Sequence, residues 1–202
     1  MERSLGPKPV LQQLYCDAHK NGVKVLEWSE KNWNGSQCGV TQLYSWCREN
    51  SPQAYNSTAI LEWAESSATC IAATGFDGVM LDAEGAYTVT HPKLRAAVTA
   101  GVCALKSALN KALPGSVLYW TVDTGNYFDY KTMIDKQCVD MFLDMDYCLC
   151  NTDSRANAPL ERVNRTAEIF KGFGVPPEKL GIIFPWFGCV SDRAAALIPS
   201  SR

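Results

Sequence analysis

No stretch of the sequence reaches the roughly eighteen consecutive apolar residues of a membrane-spanning helix, and the N-terminal MERSLGPKPVLQQLY has no apolar core of the kind a signal peptide needs. As written, the sequence predicts neither a membrane span nor an export address. A basic excess is also missing: 19 Lys and Arg stand against 21 Asp and Glu, for a formal net charge of -2, and nowhere do Lys and Arg cluster with interleaved aromatics. That excludes a polyanion such as nucleic acid as a natural partner. Neither G-x-G-x-x-G nor G-x-x-x-x-G-K occurs, so the usual backbone cradles for nucleotide phosphates are lacking. Histidine is scarce: His19 falls in a helix-like segment and His91 precedes Pro92, and both read as surface residues with no catalytic partner at a telling distance. The cysteines never group as paired C-x-x-C, only as the C-x-C of Cys148 and Cys150, so no zinc site and no cofactor are implied.

Cysteine itself is plentiful. There are nine: Cys16, Cys38, Cys47, Cys70, Cys103, Cys138, Cys148, Cys150 and Cys189. An odd count leaves at least one thiol without an intrachain partner, and the remainder reads as a mixture of disulfides and buried thiols. Asn34, Asn56 and Asn164 each head an N-x-S/T sequon. Sequons and cysteines together suit the secretory pathway, against the missing export address.

With 47% hydrophobic and 20% charged residues, 202 residues can bury one sizeable core, so a single domain over 1–202 is expected. Apolar runs of strand length, VKVLEW, GVMLDAE, VLYWTVD, DMFLDMDY and LGIIFPWFG, alternate with helical patterns near 8–20, 58–73, 92–112, 129–137 and 159–172. Pro92 and Pro159 stand where helices accept proline, at their first turn. Strands separated by crossover helices form parallel sheets, and the absent phosphate loops favour a closed barrel over an open doubly wound sheet. The long irregular stretch between Ser29 and Asn56 would then leave the barrel rim, either to shape a cleft or as a solvated, glycosylated insertion.

Side chains alternate along a strand, so Gly78, Met80, Asp82 and Glu84 share one face, and Asp77, Val79, Leu81 and Ala83 the other. The second face is mostly hydrocarbon and reads as helix-facing. On the first, two carboxylates lie two residues apart, about 6.5 to 7 Å between α-carbons, at the C-terminal end where parallel barrels place their chemistry. Like charges that close in a partly dry site cannot both ionise freely, which leaves one group protonated as an acid. Glu84, nearer the rim, is the natural proton donor. By spacing alone, a solvated acidic loop start accounts for the same residues equally well.

The octad Asp77-Gly78-Val79-Met80-Leu81-Asp82-Ala83-Glu84 resembles the D-G-x-D-x-D-x-E signature of glycoside hydrolase family 18, most closely its di-N-acetylchitobiase branch, with Met80 in place of the second acid. Met145 and Tyr147, in DMFLDMDYCLC, are similar to the Met-x-Tyr of that family's sixth strand, with Cys148 where the family usually has Asp. The same alternation turns Phe142, Asp144 and Asp146 toward the helices. KLGIIFPWFG, with Pro185, Trp186, Phe187 and Gly188, resembles the seventh strand, and ANAP at 156–159 also matches the branch. The resemblance covers roughly residues 10–190, in the family's order; the tail after 190 diverges.

This resemblance implies an α/β fold, a (β/α)8 barrel incomplete in this chain, with about five strands corresponding to the third to seventh of the family. The first, second and eighth, the last of which usually floors the sugar site with a tryptophan, have no counterpart here. Open edges would favour self-association. The implied activity is retaining hydrolysis of N-acetylglucosamine linkages assisted by the substrate's own acetamido group. Glu84 would be the acid and later the base, Asp82 would hold the acetamido N–H, and Tyr147 would align its oxygen. Asp77 and Gly78 would be structural and Met145 would line the sugar site; Trp186 and Trp120 are candidates to stack on the sugar, with a place in the core an equal reading of either. The implied partner is an N-acetylglucosamine-containing oligosaccharide, and the implied location lysosomal or extracellular. A truncated or non-catalytic sugar-binding relative is the rival reading, against which the retained Glu84 argues.

Overall fold

The computed structural model describes residues 9–30, 38–40, 56–82, 92–145 and 160–184. Helix α1 spans Pro9–Lys20, strand β1 Glu27–Glu30, α2 Ser57–Thr74, β2 Gly78–Asp82 and α3 Pro92–Ala112. After these come β3 Val117–Val122, α4 Tyr130–Asp135, β4 Met141–Asp144, α5 Leu160–Gly172 and β5 Leu180–Ile182. The strands form one sheet of five in the order β1-β2-β3-β4-β5, every pairing parallel. Sequential parallel strands with a helix in each connection are the repeating unit of a (β/α) barrel.

Local chemistry explains the boundaries. Asn56 caps α2 by accepting from the Thr58 and Ala59 amides, each at 3.1 Å, and Gly75 closes it in the left-handed conformation, φ 83°. Pro92 opens α3 at the position where a missing N–H does no harm. Strand β1 begins later than the apolar run VKVLEW suggests, at Glu27 rather than near Val23. The reason is that Val25 bonds to Asp77, its amide to the carboxylate at 2.7 Å and its carbonyl to the Asp77 amide at 2.7 Å, outside any ladder.

The core lies between the sheet and the helices. Val79, Leu81, Leu118, Trp120, Val122 and Phe142 are fully buried on the helix-facing side, against Ile71 of α2 and Val102, Leu105 and Leu109 of α3. Each such side chain stabilises the fold by about 1.5–3 kcal/mol, so slipping a strand by one residue, which would turn this set to the opposite side, is strongly disfavoured. Disulfides Cys38–Cys70 and Cys103–Cys138 tie the segment after β1 to α2, and α3 to the entry of β4. With a sequence separation of 35 for the second, chain entropy alone makes such a bridge worth roughly 4 kcal/mol. Cys16, on α1, is an exposed free thiol. A buried ionic clamp adds to the core: the Lys106 ammonium of α3 donates to the Ser116 carbonyl at 2.7 Å and pairs with Asp140 at 2.6 Å, whose carboxylate also accepts from the Leu118 amide at 2.7 Å.

Among the described residues no helix is long and apolar enough to cross a membrane.

Candidate active site

Strand parity fixes what faces inward. With Val79 and Leu81 turned to the helices, Gly78, Met80 and Asp82 turn to the inner side, and register carries this across the sheet. Trp28 of β1 lies beside Met80, and Thr121 of β3 beside Asp82. Tyr119 and Thr121 continue the inner face in β3, Met141 and Leu143 in β4.

Asp82 ends β2 and is almost wholly buried, with 6% of its surface exposed. Its Oδ2 accepts from the Trp28 indole N–H at 3.2 Å, and its Oδ1 lies 3.0 Å from the Thr121 hydroxyl, which also reaches the Leu81 carbonyl at 3.1 Å. The partners come from the strands on either side, so the carboxyl group is held along the sheet at the C-terminal end of the parallel strands. A buried carboxylate needs such donors, because desolvating it without them costs several kcal/mol. Met80, which replaces an acid of the resembled signature, offers Asp82 no polar side chain on the described part of β2; Trp28 and Thr121 hold it from the neighbouring strands.

Asp77 and Gly78 build the entry of β2. The backbone at Gly78 has φ 152°, and a side chain there would collide with the Val117 carbonyl, so only glycine lets β2 and β3 approach at this point. Asp77 Oδ2 accepts from the Val25 amide at 2.7 Å and pairs with the His19 ring of α1 at 2.8 Å. His19 is thus a surface residue that nevertheless docks α1 onto β2. Partial burial alone would raise the Asp77 carboxyl; the Val25 amide, His19 and Lys24 outweigh it, and the pKa stands below the ordinary carboxylate value. A carboxylate lowered in the folded state contributes stability above its unfolded pKa, about 3.9, and loses it as the pH falls through the lower folded value. Asp77→Ala is therefore expected to cost about 1–3 kcal/mol at pH 7, with the gap from native narrowing below about pH 4. Denaturant titrations at the two pH values check this; a gap independent of pH contradicts it.

Met145 follows β4 on the inner parity, half-buried, its amide bonded to the Val122 carbonyl at 3.0 Å. Trp120 is a correction to the sequence reading. It lies on the helix-facing side, fully buried, its ring 4.4 Å from Phe128 and 6.5 Å from Phe142 between centroids. It fills the core and offers no surface to a sugar. Asp144 shares that side, almost fully buried. Burial first, then the neighbouring Asp123 and Asp144, push the Tyr130 hydroxyl far above its ordinary range, and it donates to the Gly125 carbonyl at 2.9 Å. Glu84, Tyr147 and Trp186 lie outside the described residues. Among the described residues, no group of three His, Cys, Asp or Glu is placed to hold a metal.

No family model matches the sequence. No curated protein matches it either. Solved structures do match the fold. One is the glycoside hydrolase family 18 N-acetylglucosaminidase from Paenibacillus barengoltzii, with a TM-score of 0.57 at 17% identity over 90% of this chain and 58% of that one. A class V chitinase from Nicotiana tobaccum, in complex with NAG4, gives 0.58 at 16% identity over 87% of this chain and 53% of the other. The spore cortex-lytic enzyme SleL of Bacillus cereus gives 0.55 at 20% identity over 94% and 45%. The chain spans about half the length of these structures. At these identities the likeness is one of fold: α/β, with five parallel strands of a barrel of the family 18 type.

Proposed function

We propose that the protein is a retaining glycoside hydrolase that cleaves β-1,4 linkages of N-acetylglucosamine in chito-oligosaccharides or N-glycan cores, of the di-N-acetylchitobiase branch. The observation that carries this reading is the setting of Asp82: a buried carboxyl group, held from two neighbouring strands, at the C-terminal end of a barrel strand and two residues before Glu84. In family 18 the nucleophile is the substrate's own acetamido oxygen. It bonds to the anomeric carbon while Glu84 gives its proton to the leaving oxygen, which departs with the bonding pair. Water then opens the cyclic oxazolinium ion with Glu84 as base, restoring the acid and the original configuration. Asp82 holds the acetamido N–H and offsets the positive charge that develops on it, and Tyr147 aligns the acetamido oxygen. Trp186 and Met145 line the sugar. Incubation with N-acetylated chito-oligosaccharides tests the reading: shortening with release of N-acetylglucosamine is expected, and an intact oligosaccharide contradicts it.

The same reading places the protein in the lysosome or outside the cell. Two disulfides support an oxidising compartment. The exposed sequon at Asn56 fits it too, because Asn56 caps α2 through Oδ1 and leaves Nδ2 for a glycan. In a glycosylating host, Thr58→Ala, which destroys the sequon but keeps the cap, is expected to remove one glycan's mass. An unchanged mass contradicts modification at Asn56. Among the described residues β1 and β5 each pair on one side only, and association with a further chain through these edges is part of the same proposal.

A further inference from the structure

We propose that Trp28, which the sequence reading passed over, serves the sugar site in two ways: its indole N–H positions Asp82, and its ring face is a platform on which an N-acetylglucosamine ring stacks. The inference rests on the glycosidase reading and adds a residue to it.

The neighbours of Trp28 in β1, Glu27 and Ser29, are buried on the helix-facing side, which turns Trp28 to the inner face beside Met80. Despite its size, Trp28 remains 42% exposed there. A large aromatic this exposed on the inner face of the sheet is an informative exception to the burial of such side chains. Its polar edge is committed: Nε1 donates to Asp82 Oδ2 at 3.2 Å. One indole therefore offers both things a pyranose needs, an apolar face for its C–H groups and, through Asp82, a fixed acceptor for an N–H at its rim. The carboxyl group cannot rotate about its bond without giving up the Trp28 or the Thr121 contact. Trp28 is thus a positioning residue toward Asp82 and a binding surface toward the sugar.

Three variants separate the two roles. Trp28→Leu removes both ring and N–H, Trp28→Phe keeps an aromatic face and removes the N–H, and Thr121→Val removes the other Asp82 partner while leaving the indole in place. With tri-N-acetylchitotriose as the probe, calorimetric binding by Trp28→Leu is expected to weaken roughly tenfold, while Trp28→Phe binds within about threefold of native. Trp28→Phe and Thr121→Val are expected to lower kcat with little change in KM, and Trp28→Leu to raise KM as well. A residue that merely packs would not produce that split, nor would phenylalanine rescue binding alone. If native protein binds and cleaves and Trp28→Leu does so equally well, the proposal is overturned and the glycosidase reading stands. If native protein neither binds nor cleaves, the glycosidase reading fails and the platform with it.

Discussion

Glu84→Gln is expected to slow hydrolysis of N-acetylated chito-oligosaccharides by about 10² to 10⁴ while leaving their binding near native. Glutamine keeps the shape of the side chain and its acceptor oxygen but cannot give a proton to the leaving oxygen, so the loss falls on the bond-breaking step. Steady-state rates and a binding titration on the same preparation separate the two effects. A variant that loses binding in proportion to rate would show Glu84 to be a ligand of the ground state and not the acid. Asp82→Asn is expected to slow the same reaction for another reason: it removes the charge that offsets the developing oxazolinium ion.

A large expected effect on stability lies away from this chemistry, in the clamp between α3 and the segments that lead into β3 and β4. Asp140→Ala leaves the Lys106 ammonium, 8% exposed, with the Ser116 carbonyl as its remaining described partner, and also deprives the Leu118 amide of its acceptor. Breaking a buried pair from one side typically costs about 3–5 kcal/mol, and the partial exposure of Asp140, 30%, places the expectation toward the lower end. Lys106→Met together with Asp140→Ala should recover part of that loss, since no uncompensated charge remains. Denaturant unfolding of the single and double variants checks this; equal midpoints for Asp140→Ala and native contradict it.

The order of strands and helices was legible because apolar runs of strand length are set apart by helical spacing, and that alternation survives without any knowledge of contacts. Helix α3 occupies Pro92–Ala112, the span the proline and the repeat of Leu94, Val98, Val102, Leu105 and Leu109 indicate. The acidic strand was legible for a similar reason, since alternation alone separates Asp82 from Val79 and Leu81. Trp120 was left between two readings, a sugar-stacking ring and a core residue. In VLYWTV the buried set is Leu118, Trp120 and Val122, and the inner set Tyr119 and Thr121. The period of two was present in the sequence, and applying it to β3 would have placed Trp120 in the core. Trp28 was missed because its role depends on register between β1 and β2, a long-range quantity that no local pattern encodes. The Lys106–Asp140 clamp had one readable sign: Lys106 lies four residues after Val102, on the apolar stripe of α3, where a charge needs a partner. Cysteine pairing was not readable at all, because an odd count constrains parity and says nothing of partners.

The account turns on the substrate supplying its own nucleophile, with Asp82 holding the acetamido group that does so. The direct measurement is the rate of hydrolysis of an N-acetylated chito-oligosaccharide against its de-acetylated counterpart by the same protein under the same conditions. The account predicts turnover of the first and almost none of the second, whatever residue occupies position 82. Equal rates would contradict both substrate assistance and the role assigned to Asp82.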